Sequence, residues 1–100
     1  MMHRRRVGGL ALLIPLAGTV AAAAAEAPSG ASSCSGCHPV SAAVHTPVPR
    51  LVGRPVADIV AAMQGFRTEQ RPATVMDRIA KGFSDDETAA IAAWYAGQKQ

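Results

Sequence analysis

The sequence predicts a small all-α domain whose short helices wrap round one covalently held group, and three observations carry that expectation. Apolar residues recur at spacings of three and four, as in Val56, Ile59, Val60, Met63 and Phe66, and no run alternates with the period of a strand. Two cysteines and a histidine stand together in Cys34-Ser35-Gly36-Cys37-His38. The third observation is size, because setting aside an N-terminal leader of 25 residues leaves about 75. A domain that short struggles to bury a core of its own.

A Cys-x-x-Cys-His run is the attachment pattern of c-type haem, and its spacing has a physical reason. On a helix Cys34 and Cys37 share one face, and His38, four residues beyond Cys34, lies on that face too. Two thiols can then add to the two vinyl groups of one porphyrin while the imidazole reaches the iron. A thioredoxin-like redox pair would want strands and helices alternating around it. A zinc site would have to recruit Cys34, Cys37, His38 and the loop residue His45, without a second pair of spaced ligands. One covalent haem c is the reading that also supplies the missing apolar interior. Both cysteines are then consumed, so no disulfide framework is proposed.

The leader is read from three regions in succession. His3-Arg4-Arg5-Arg6 is basic, residues 7–20 are an apolar run, and the alanines 21–25 end in an Ala-x-Ala-like cleavage site. Residues 1–25 are therefore expected to be a signal peptide, cut after Ala25 or, as second choice, after Ala27. An uncleaved anchor is the alternative, for which the apolar run is short. Export suits c-type haem, which is attached outside the cytoplasm, and puts the domain of residues 26–100 in the periplasm with no membrane insertion after cleavage. Cleavage also removes Arg4, Arg5 and Arg6, bringing the ten Lys and Arg down to seven, level with the seven Asp and Glu. The basic pI of the whole chain is thus no argument for nucleic acid.

Each element of the domain follows from local chemistry. Residues 26–33, small and polar, lead into a short helix carrying the cysteines. Between 39 and 55 the chain has Pro39, Pro47, Pro49 and Pro55 and is expected to be loop. A helix follows on the Val56 to Phe66 periodicity, with Asp58, Gln64 and Arg67 away from its apolar face. Residues 68–74, charged and containing Pro72, break the pattern. Residues 76–81 make a short helix closed by Gly82, which is suited to a left-handed terminal conformation. Ser84-Asp85-Asp86-Glu87 is a capping box with an acidic first turn. The last helix runs to about Gln98 with Ile91, Trp94 and Tyr95 inward. There is no internal repeat and no second haem motif.

The partner of His38 on the opposite face of the iron decides the chemistry. Met63, Met76 and His45 are the candidates. Met63 belongs to a periodic apolar stripe and reads as core. His45 reads as a solvated loop residue beside Thr46 and Pro47. Met76 follows a proline-containing loop and precedes a short helix, so it can be presented from the side opposite His38, and a soft thioether raises the potential relative to a second histidine. With His38 and Met76 both bound, the iron only exchanges electrons, and the domain is a carrier rather than an enzyme. An open position would permit ligand binding or peroxidase-like chemistry.

Cys34 to His38, Pro49-Arg50-Leu51-Val52-Gly53, the methionine of the second loop and an aromatic C-terminal helix resemble the class I cytochromes c. Within that group, Met63-Gln64-Gly65-Phe66-Arg67 and the run from Ala73 to Ser84 are most similar to the cytochrome subunit of flavocytochrome c sulfide dehydrogenase. The resemblance implies the class I cytochrome c fold, thioether links at Cys34 and Cys37, iron ligation by His38 and Met76, and a Pro49 carbonyl accepting from Nδ1–H of His38. It also implies an FAD flavoprotein partner that takes two electrons from sulfide and passes them singly to this haem. Residues 39–46 lack the glycine-rich loop many such proteins have, and some members carry two haem domains.

Arg67, Arg71, Arg78 and Lys81 lie near Met76 in sequence, while Asp85, Asp86 and Glu87 gather at the last helix. A basic rim would steer an acidic partner; a solvated face is the plainer reading. Trp94 and Tyr95 read first as packing of the last helix against the haem-bearing one. The leading function is a non-catalytic electron-transfer subunit of a sulfide dehydrogenase. A free-standing soluble carrier between respiratory or photosynthetic complexes is the alternative, and a haem enzyme or ligand sensor the third.

Overall fold

Four helices follow one another in the computed structural model, which describes residues 8–9, 12–15, 18 and 26–99. They are α1 (Ala31–Cys34), α2 (Val56–Arg67), α3 (Met76–Ala80) and α4 (Asp85–Ala96). Among the described residues there is no strand, and no helix is long and apolar enough to cross a membrane. The domain is all-α. The expected signal peptide lies largely outside the described residues.

α1 is a single turn, and its start depends on a glycine. Gly30 sits at φ 86°, a left-handed conformation that side chains resist, and a Cβ there would come within 2.8 Å of the Phe83 ring. The turn continues past Cys34, whose carbonyl accepts from the N–H of Cys37 at 3.2 Å and of His38 at 2.8 Å. The Cys-x-x-Cys-His run thus starts on the last residue of α1 and continues as a hydrogen-bonded turn.

α4 is fixed at its start by the capping box. Ser84 Oγ accepts from Glu87 N–H at 3.1 Å, and Glu87 Oε2 accepts from Ser84 N–H at 3.3 Å. Its far end is tied to the other end of the domain. Tyr95, 2% exposed, donates its hydroxyl to the carbonyl of Ala31 at 2.5 Å, and its own carbonyl accepts from Gly53 N–H at 3.0 Å. The core of Ala31, Val52, Ile59, Ile91, Ala92 and Tyr95 forms where these ties converge, with Cys34, Leu51, Val60, Phe83 and Trp94 packed against it. Burial of each of the larger side chains contributes about 1.5–3 kcal/mol. Since two of the six are alanines, the core is small.

α2 packs on both α3 and α4. Two expectations about helix ends are corrected. Gly82 is not left-handed, because the end of α3 tightens instead into bonds three residues apart, Gly82 N–H to Ile79 and Phe83 N–H to Ala80, which need no positive φ. α4 ends at Ala96 rather than near Gln98, with the Gly97 and Gln98 N–H groups closing on Ala93 and Tyr95.

Candidate functional site

The turn after α1 presents three donors in different surroundings. Cys34 is half-buried against the core and Cys37 is exposed, and the two are not joined in a disulfide. Burial pushes the Cys34 thiol above its ordinary pKa, opposed in part by hydrogen bonds from Ser33 and its own backbone. At neutral pH it stays protonated and uncharged.

His38 is held by its ring. Nδ1 lies 2.6 Å from the carbonyl oxygen of Pro49, eleven residues on. A carbonyl only accepts, so the bond requires the proton on Nδ1, and in the neutral ring Nε2 then keeps the lone pair with which an imidazole can bind a metal. The loop that brings Pro49 there is closed by the next residue. Arg50 donates from Nε at 3.2 Å and Nη2 at 2.9 Å to the carbonyl of Val40, and Arg54 Nε donates to the carbonyl of Arg50 at 2.8 Å. In place of glycines, hydroxyls shape the path: Ser41 Oγ accepts from Ala43 N–H and Thr46 Oγ1 from Val48 N–H, both at 3.2 Å.

The three candidates for a second iron ligand are placed differently. His45 is exposed in the loop between these two turns. Met63 is half-buried in α2, and Met76 is half-buried as the first residue of α3. Among the described residues no three of His, Cys, Asp and Glu gather to hold a metal ion, so the four-ligand zinc set with His45 is not assembled.

The remaining surface suits a large apolar group. Of the stripe patterned as core on α2, Ile59 is buried, but Val60, Met63 and Phe66 are half-buried and Val56 is 41% exposed. Beside Met76, Val75 and Ile79 are 53% and 42% exposed. Two thiols on one turn, an imidazole with Nε2 free, a thioether and an under-covered apolar stripe together fit a haem.

Sequence reasoning placed Arg67 away from the apolar face and in the basic group near Met76, and missed its internal partners. Its guanidinium, in a side chain 29% exposed, bonds Asp85 Oδ1 at 2.5 Å, the carbonyl of Ala80 at 3.5 Å and the carbonyl of Phe83. A basic residue in a last helical turn was the available signal, and it does not distinguish these partners from water. The basic group around Met76 is largely engaged internally. Lys81 pairs with Glu69 at 3.2 Å, and the Arg71 guanidinium stands 5.1 Å from the centre of the Phe66 ring. Tyr95 serves packing, edge-on to Trp94 with ring centres 4.8 Å apart. Its hydroxyl is pushed above the ordinary value of 10.0 by burial first and by the nearby Cys34 second.

No family model matches the chain. It is 33% identical over 63 residues to the cytochrome subunit of sulfide dehydrogenase from Chlorobaculum tepidum. That stretch is 63% of this chain, and the chain spans 57% of the length of that protein. The resemblance to the cytochrome subunit of a sulfide dehydrogenase is thus found again by direct comparison.

Proposed function

We propose that the chain is an exported single-haem c-type cytochrome that transfers single electrons as the haem subunit of a flavoprotein sulfide dehydrogenase. The observation that carries the haem reading is the bond between His38 Nδ1 and the Pro49 carbonyl, 2.6 Å, on a helical turn that also bears Cys34 and Cys37. It sets the tautomer in which Nε2 is ready to bind iron. The subunit reading is supported by the likeness to the Chlorobaculum protein.

Cys34 and Cys37 would hold the haem through thioether links, His38 and Met76 would bind its iron, and Pro49 would orient the imidazole. The bound haem supplies a one-electron iron couple. The protein's part would be to bind the iron from both His38 and Met76, so that no substrate reaches the metal, and to cover the group with the half-open stripe of α2. Residues 1–25 direct export and are removed, leaving the domain in the periplasm.

Mass spectrometry of the matured protein should show the mass of one haem that survives acid-acetone extraction, with a new N-terminus at Glu26 or Pro28. Free thiols at both cysteines after maturation in a haem-attaching periplasm would refute the haem reading. Purification from the native source should bring down a flavin-containing subunit. Recovery of a haem protein without flavin would favour the free-standing carrier.

A further inference from the structure

Met76 sits in the middle of a segment, 68–83, that leaves the end of α2 and comes back to it. The segment has little to hold it from within, because α3 has five residues and a helix so short is not stable alone. Its base is where the bonds are. Arg67, the last residue of α2, reaches across that base with all three guanidinium nitrogens, to the end of α3 at Ala80, to the carbonyl of Phe83 and to the first residue of α4, Asp85. Outside it Lys81 meets Glu69 at 3.2 Å, and the carbonyl of Gly65 accepts from the N–H groups of Gln70 and Arg71, each at 3.0 Å. A planar fork that satisfies two carbonyls and a carboxylate in fixed directions cannot be replaced by a point charge.

We infer that Arg67 is a positioning residue whose three-way clasp keeps segment 68–83 closed and thereby sets how firmly Met76 is presented to the iron. The inference rests on the reading of Met76 as the ligand. A thioether is a weak acceptor and no donor, so its placement depends on the backbone that carries it. Segments with few buried contacts open below the free energy of global unfolding, and the clasp governs that opening.

The test uses the matured, oxidised haem protein and imidazole as the probe of opening. Arg67→Ala should retain covalent haem and its helical circular dichroism. It should bind imidazole faster by on the order of tenfold or more, the scale of a lost charge-assisted hydrogen bond. It should also lose the near-infrared thioether-to-iron band at a lower denaturant concentration than the helix signal. Arg67→Lys, able to reach one acceptor at a time, should fall between the two. Asp85→Asn should change the rate less than about twofold, since that carboxylate is 78% exposed.

Hydrogen exchange of the unmutated protein needs no variant. The N–H groups of Arg78, Ile79, Gly82 and Phe83, which bond within the segment, should exchange together and ahead of α4. If Arg67→Ala leaves imidazole binding unchanged, or speeds it only in step with global unfolding, the role of Arg67 is overturned while Met76 ligation stands. Exchange of those four amides in step with α4 overturns it as well. If the unmutated protein lacks the thioether band and takes up imidazole at once, Met76 ligation itself falls, and the clasp with it.

Discussion

The loop 38–50 and the segment 68–83 are both closed by an arginine donating to backbone carbonyls, yet they control their key side chains in different ways. In the first, the ring of His38 is itself hydrogen-bonded, 2.6 Å from Pro49, and Arg50 merely secures the loop. In the second, Arg67 joins the base of the segment and none of its three bonds is made to Met76 itself. The difference follows from the chemistry of the two groups. An imidazole has a donor that can be anchored without touching its ligating nitrogen. A thioether has none, so packing and chain closure must hold it.

The largest predicted effect separates attachment from presentation. Replacing Cys34 and Cys37 together by Ala should abolish covalent haem. Met76→Ala should keep the haem, lose the thioether band and bind cyanide or carbon monoxide, measured by mass spectrometry and absorption. Loss of the band in Met63→Leu but not in Met76→Ala would reverse the assignment between the two methionines.

Tyr95→Phe probes the tie behind the His38 turn. Removing the hydroxyl leaves the Ala31 carbonyl without that donor, which should cost about 1–3 kcal/mol in denaturant unfolding. The same variant has a pH signature. The folded pKa of Tyr95 is raised, so its contribution is complete below the ordinary 10.0 and is lost as pH rises from there through the folded value. Tyr95 is the chain's single tyrosine, so Tyr95→Phe should flatten the stability profile above that pH without changing its shape below. Part of the raised value comes from Cys34 when charged. That part should vanish once the sulfur is a thioether, which has no ionised form.

Two smaller effects bear on the loops themselves. Ser84→Ala removes half of the capping box beside the base of segment 68–83 and should cost about 1 kcal/mol of stability. It should shift the helix signal and the thioether band together, because it weakens the start of α4, on which Arg67 also rests through Asp85. Arg50→Ala gives up two exposed hydrogen bonds to the Val40 carbonyl and should cost about 0.5–1 kcal/mol. Since His38 keeps its own bond to Pro49, the potential should move little. A large shift there would mean that the loop, and not the direct bond, positions the imidazole.

The chain's periodicity, prolines and capping residues were enough to mark out α2, α3 and α4, and the structure alters mainly their last residues. Gly82 shows the limit of such reading. A glycine after a short helix permits a left-handed end, but Phe83 must turn inward against Gly30, and a tight three-residue turn serves that without positive φ. Gly30 lay in a stretch that read only as a polar lead-in. Its need for a bare backbone comes from a ring more than fifty positions away.

The sequence by itself determined the donor set, because two thiols and an imidazole at fixed spacing on one helical turn are a local fact. It also determined the helical class, since apolar spacing is a property of neighbours along the chain. The tertiary structure alone decided what each donor leans on: Pro49 at His38, Ala31 beneath Tyr95, and the ends of segment 68–83 on Arg67. Those contacts join residues 11 to 64 positions apart. Directional bonds over such separations depend on where whole elements come to rest, and periodicity along the chain carries no record of that.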